Sequence, residues 1–174
     1  MSKTLSPGAL KRLPDGEPGD RQNFIRWQLE RLVNEKGLAD IIMPYIHPVL
    51  KLSREDWTPA EIEAALEMRP TTIETGYDTA AIASYRTFRK LKDEGRIAEQ
   101  VRFQVGIPTP TNVVPRVIQP AFQTSIEPHY KRGLQAAIER IQQDIPNQEL
   151  AFQMDLAAEF SVLHGGAWWV DGPV

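Results

Sequence analysis

The sequence predicts an α/β fold built on a parallel sheet, and three observations carry that prediction. Val101-Arg102-Phe103-Gln104-Val105 and Leu150-Ala151-Phe152-Gln153-Met154 are short runs rich in apolar residues and bounded by turn residues, the composition of strands. Between them lies a segment whose Tyr130, Leu134, Ala137, Ile138 and Ile141 recur at helical spacing. From Asp78 onward helical and strand patterns alternate, the order that a parallel sheet with crossover helices produces. Ligands in such folds bind at the carboxyl ends of strands, so a site is expected just past Val105 and at Asp155.

Taken in order, residues 1–10 are expected to be disordered, and the Gly- and Pro-rich first twenty residues read as a loop. Asp20 can cap a helix over Arg21–Lys36, in which Phe24, Trp27 or Gln28, and Leu32 share a side and Gly37 takes the terminating position. Asp40–Leu52 holds Pro44 and Pro48, which forbid a regular helix and a central strand alike, so it reads as an extended, partly buried connection. Thr58-Pro59-Ala60-Glu61 is a capping box with proline at the first helical position, opening a short helix to about Met68. Thr71–Glu74 reads as a short strand.

Asp78 or Thr79 opens a helix over Ala80–Glu94, with Ile82, Tyr85, Phe88 or Arg89, and Leu91 on one side and Gly95 at its end. Arg96–Gln100 turns the chain into the strand Val101–Val105, and a proline-rich loop follows. Ser125 or Glu127, with Pro128, starts the next helix, which runs to about Asp144. Pro146 and Asn147 break it, Glu149–Asp155 is the last strand, and 161–174 reads as an irregular tail. The 174 residues fit a single domain.

Composition excludes several classes. A net charge of −3 argues against nucleic-acid binding, because backbone phosphates demand a basic face. The chain has no cysteine, so disulfides, thiolate zinc sites and cysteine nucleophiles are impossible. No apolar run approaches the roughly 18 residues of a membrane span, and the N-terminal residues lack the apolar core of a secretory signal. A cytoplasmic protein with no membrane partner is therefore expected. Neither G-x-G-x-x-G nor G-x-x-x-x-G-K-[ST] is present, and His47, His129 and His164 show no ligand spacing, so no cofactor and no metal are expected.

Arg12-Leu13-Pro14-Asp15-Gly16-Glu17-Pro18-Gly19-Asp20-Arg21 packs three carboxylates and two arginines into ten residues. It reads either as a rigid polar loop facing a substrate, with Asp15, Glu17 and Arg21 available to it, or as a solvated turn. Gln104 and Thr109 lie at or past the end of one strand, Thr109 held extended between Pro108 and Pro110. Gln153 and Asp155 lie at the end of the next, with Glu159 just beyond. A carboxylate there could bind an amine or accept a proton, or else cap the following helical turn. Trp168-Trp169 is apolar surface that needs cover, within this domain or from a partner.

Four stretches together resemble one group of proteins: Arg12–Arg21 followed by Trp27; Gly76-Tyr77-Asp78 with Ala83-Ser84-Tyr85 through Phe88; Phe103–Pro110; and Ile145-Pro146 with Leu150–Asp155. The chain is similar over most of Lys11–Phe160 to cobalamin-independent methionine synthase and uroporphyrinogen decarboxylase, whose members form (β/α)₈ barrels. The resemblance implies a partial (β/α)₈ TIM-type barrel, helices packed on a short parallel sheet, and a methyltransferase-like or lyase-like activity on a small molecule of secondary metabolism. It makes Asp155 the catalytic residue with Gln153 in support, and places Asp15 and Glu17 in a polar loop at the barrel mouth. The zinc site of the methionine synthases, which uses cysteine, cannot be carried over.

Relatives begin with a strand ahead of the Arg12–Arg21 stretch and continue for another half-barrel. The expectation is thus a first half with its opening strand missing, inactive without the other half. Such a half leaves two sheet edges and an apolar inner face exposed, so it would self-associate or pair with a complementary half-barrel. The alternative is a non-catalytic accessory protein that pairs through those edges.

Overall fold

Side-chain alternation decides how the sheet sits. The computed structural model describes residues 10–35, 38, 41–42, 58–67 and 72–164. Along β2 (Arg102–Pro108), Phe103, Val105 and Ile107 are buried, while Arg102, Gln104 and Gly106 between them are not. Strand β1 (Arg12–Pro14) pairs with β2 in parallel, Arg12 beside Arg102, and β3 (Leu150–Asp155) pairs in parallel on the other side, Phe103 beside Leu150 and Pro108 beside Asp155. The order β1-β2-β3 is the order of the chain. Ladder neighbours point the same way, so Leu13, Phe103, Val105, Ile107, Leu150 and Phe152 make one face, all in or against the apolar core. The other face carries Arg12, Pro14, Arg102, Gln104, Gly106, Ala151 and Gln153, none of them buried, and ends at the buried Pro108 beside Asp155. Among the described residues the chain is therefore α/β, with three parallel strands and six α-helices.

The helices are α1 (Phe24–Asn34), α2 (Pro59–Glu67), α3 (Tyr77–Asp93), α4 (Pro110–Val117), α5 (Pro120–Asp144) and α6 (Ala157–Leu163). A 3₁₀ turn at Gly19–Gln22 precedes α1, whose cap is Asn23 rather than Asp20: its side chain accepts from the Arg26 amide at 3.1 Å. The Thr58 box forms as expected, with the Thr58 amide donating to Glu61 Oε2 at 3.0 Å. Helix α3 packs on α5, and a buried polar relay ties α1 to both the chain ahead of α3 and α5. Gln28 Nε2 donates to the Thr75 carbonyl at 2.9 Å, and the fully buried Tyr130 hydroxyl donates to Gln28 Oε1 at 2.8 Å. Ile73–Thr75 lies against α5 at Gly133, where a β-carbon would sit 1.9 Å from the Ile73 carbonyl oxygen.

Several expectations are corrected. A first strand is present, inside the Arg12–Arg21 stretch itself, because the Arg102 amide reaches the Lys11 carbonyl and the Asp15 amide the Gln104 carbonyl. Residues 72–74 form no strand; Ile73 is buried by packing alone. The proline-rich loop contains α4, since Pro110 occupies a first-turn position where a missing N–H costs nothing. Pro120 does the same for α5, which starts ahead of the expected Ser125 and carries Pro128 inside it. The open sheet face is polar rather than apolar. Helix α6 runs to Leu163, into the stretch expected to be irregular. Residues 1–9, Gly37, most of Asp40–Leu52 and Trp168-Trp169 lie outside the described residues.

Candidate functional site

Each strand delivers polar groups to the same end of the sheet. After β1 the chain turns through Gly16 at φ 82° and Glu17 at φ 43°, two successive left-handed residues. Glycine adopts that conformation freely, whereas for glutamate it costs about 1–3 kcal/mol. The turn leaves Asp15 nearly buried, its side chain 4% exposed, and gripped by Arg21: Nη1 donates to Oδ2 at 2.6 Å and Nη2 to Oδ1 at 3.1 Å. The same Nη2 donates to Ser84 Oγ on α3 at 3.1 Å. This bidentate fork holds the loop against the helix that precedes β2.

On the open face of β2 and β3 a chain of amides leads to the carboxylate expected to matter most. Gln104 Nε2 donates to Gln153 Oε1 at 2.5 Å, and Gln153 Nε2 donates to Asp155 Oδ1 at 2.8 Å. Asp155 does not cap the next helix. Asn112, on α4, performs that role: its Oδ1 accepts from the Ala158 amide at 3.2 Å, and its Nδ2 donates to the Asp155 carbonyl at 2.7 Å and to Thr109 Oγ1 at 2.9 Å. Thr109 Oγ1 in turn donates to Glu159 Oε1. The Asp155 carboxylate is thereby left to face the Glu17 loop across Gly106. A β-carbon on Gly106 would lie 3.8 Å from both Asp155 Oδ2 and Glu17 Oε1.

Burial pushes the Glu17 carboxyl above its ordinary range, Arg21 pulls it back, and the charges of Asp155 and Asp15 raise it further. Tyr77, the first residue of α3, lies in the same field. Burial raises its hydroxyl, the Glu17 and Asp155 charges add to that, and Arg21 and Arg31 oppose it. It is 3% exposed, and its oxygen has no hydrogen-bond partner among the described residues. Trp27 holds the ring edge-on at 5.0 Å. Gly76 sets the start of α3: its φ of 74° is left-handed, and the Arg31 guanidinium lies where a side chain would be.

Of the eight residues expected at a site, Asp15, Glu17, Arg21, Thr109, Gln153, Asp155 and Glu159 lie on or beyond the carboxyl halves of the strands, and Gln104 lies in the first half of β2. Seven of them form three linked groups, Asp15 with Arg21, Gln104 with Gln153 and Asp155, and Thr109 with Glu159, while Glu17 stands apart in the turn after β1. Reading single residues missed Tyr77, Ser84, Gly106 and Asn112, although the first three fall within the stretches that carry the resemblance. Among the described residues no group of three histidine, aspartate or glutamate side chains is arranged to hold a metal ion. His129 is buried on α5 beside Arg132, and His164 is exposed.

The opposite end of the sheet carries a different network. Glu149, just before β3, accepts from Tyr85 at 2.6 Å, Arg89 at 2.6 Å and Lys92 at 3.2 Å, so three residues of α3 clamp one carboxylate. A hollow of about 370 Å³ there is lined by Arg12, Arg102, Gln142 and Asn147, and Arg102 donates to main-chain carbonyls of Asn147 and Leu150. Both features tie elements together and lie away from the strand carboxyl ends. No helix of the described residues is long and apolar enough to cross a membrane. Compared with protein-family models, curated proteins and solved structures, the chain returns no significant match.

Proposed function

We propose that this chain forms part of a (β/α)₈-type barrel similar to those of cobalamin-independent methionine synthase and uroporphyrinogen decarboxylase, and acts on a small molecule as a methyltransferase-like or lyase-like enzyme. The observation that carries this reading is the winding of the sheet. Three parallel strands follow chain order, helices pack on the apolar face, and the opposite face is open as far as Gly106 and Gln153. Doubly wound sheets reverse strand order; barrel sheets do not, and take their reacting groups from successive strand ends. In this reading Asp155 accepts a proton from the substrate or anchors it, and Gln153 fixes the carboxylate by donating to Oδ1. Turnover needs the remaining barrel wall.

The test is a titration of the ¹⁵N-labelled chain with small probes, n-propylammonium, n-propanol and propionate, followed through backbone amide signals. The expected result is that at least one probe shifts the amides of Gly106, Gln153 and Asp155, and that Asp155→Asn abolishes the shift. Shifts scattered over the surface, or unchanged in Asp155→Asn, refute a site at the strand ends.

One set of residues favours the pairing alternative. Met154, Leu156, Phe160 and Leu163 are 49%, 46%, 60% and 72% exposed, and they lie on β3, at its end and on α6. Burying such residues is worth about 1.5–3 kcal/mol each. A further strand and helix, supplied by a complementary half or a second copy, would cover them and satisfy the β3 edge.

A further inference from the structure

The amino end of the sheet carries two positive charges that no carboxylate beside them balances. Arg12 and Arg102 are register partners on adjacent strands and share the open face, with their backbones about 4.8 Å apart. Both line the hollow of about 370 Å³, together with Gln142, Asn147 and the first residues of β3, Leu150 to Phe152. The lining thus holds two guanidinium groups, two neutral amides and no acidic residue. Glu149, next to it in sequence, is already engaged by Tyr85, Arg89 and Lys92. The Arg12 guanidinium has no hydrogen-bond or ion-pair partner among the described residues. Arg102 is held in place through Nη2, which donates to the Asn147 carbonyl at 2.9 Å and to that of Leu150. Its Nε is buried and unpaired, and its Nη1 makes no hydrogen bond among the described residues. Two like charges this close repel, and an anion between them is attracted by both.

We propose that this hollow binds a small dianionic oxyanion, the chemistry shared by phosphate monoesters and dicarboxylates. A guanidinium presents parallel N–H donors that match two oxygens of such a group. Arg12 offers a whole fork, Arg102 offers Nη1 from a position its carbonyl partners fix, and Gln142 and Asn147 add neutral donors. Leu150, Ala151 and Phe152 supply apolar wall for the rest of the molecule. Ligand pockets run from about 300 to 1,000 Å³, so a hollow of about 370 Å³ suits a small molecule. It is formed by the three strands and the end of α5, at the opposite end of the sheet from Asp155. The inference therefore goes beyond the strand-end site and stands or falls without it.

The experiment titrates the ¹⁵N-labelled chain with methyl phosphate and with succinate at fixed ionic strength, reading the Nε–H signals of Arg12 and Arg102. At least one probe should shift both signals saturably, and chloride at equal ionic strength should not; the tighter probe names the source. Gln142→Glu places a carboxylate in the lining and should lower the affinity about tenfold or more. Gln143→Glu makes the same charge change one residue on, outside the hollow, and should lower it less than about twofold. Both glutamines are exposed, and so is Arg12. Arg12→Gln should therefore abolish binding while the near-ultraviolet dichroism of the tryptophans matches the wild type. The proposal is overturned if neither probe acts beyond chloride, or if the two glutamate variants weaken binding equally, which is attraction to bulk charge. If no probe binds and Arg12→Gln lowers the oligomeric state in light scattering, the arginines meet carboxylates of another chain and the ligand reading falls.

Discussion

Gly133→Ala tests the packing that positions the site, because two ordinary effects oppose each other there. Gly133 lies inside α5, where exchanging glycine for alanine normally stabilises a helix by about 1 kcal/mol. Here the new methyl would sit 1.9 Å from the Ile73 carbonyl oxygen, 3.0 Å from its carbon and 3.3 Å from Thr75 Cγ2. The first obstacle is backbone, so relief requires the Ile73–Thr75 segment to move by more than an ångström. Overpacking of this kind costs about 1–3 kcal/mol. The same motion pulls the Thr75 carbonyl from Gln28 Nε2, now at 2.9 Å, leaving a buried donor unpaired at about 1–3 kcal/mol more. Less the helical gain, the net loss is about 1–5 kcal/mol. Urea unfolding followed by tryptophan fluorescence should show a lower midpoint at unchanged slope, whereas Gln135→Ala, exposed two residues away, should leave the midpoint in place. A Gly133→Ala protein as stable as the wild type would refute the argument that Ile73–Thr75 is pinned against α5.

Two further outcomes follow from named contacts. Burial pushes the Glu149 carboxyl up, but hydrogen bonds from Tyr85 and Lys92 and the charges of Lys92 and Arg89 outweigh it, holding it below its ordinary 4.5. The stability it contributes is therefore present above about pH 4.5 and lost as pH falls through the depressed value. Glu149→Gln should be less stable at pH 7, and its urea midpoint should converge on that of the wild type in acid; parallel curves would contradict the clamp. At the edge of β3 that is unpaired among the described residues, the Phe152 and Met154 amides point away from β2, since Glu149 bonds to Phe103 and the direction alternates thereafter. Their hydrogen exchange should be fast in dilute protein and slow as concentration rises if the edge pairs with another copy. Fast exchange at every concentration would exclude self-pairing through that edge.

How much was legible in the sequence depends on whether the deciding interaction is local. The Thr58 box, the β2 and β3 runs and the stripes of α3 and α5 each state their structure within a few residues, through capping chemistry and apolar spacing. Helix α4 was hidden because Pro110 and Pro115 argue against a helix unless the first is recognised as a first-turn residue. Strand β1 was hidden because Arg12-Leu13-Pro14 has no strand composition and is extended only by lying beside β2. The site shows the same division. Strand-end polarity marked Asp155 and Gln153, whereas the side chains that give the carboxylate its setting come from far along the chain. Asn112 takes over the helix-capping role that Asp155 would otherwise fill, and Tyr77, at the start of α3, feels the charges of Glu17 and Asp155. Neither is predictable from spacing, because each depends on where a crossover helix comes to rest. What leaves the Asp155 carboxylate out of the capping role is thus the presence of another residue that does the capping. Here that residue is Asn112, and its removal should divert Asp155 to the α6 amides and away from Glu17.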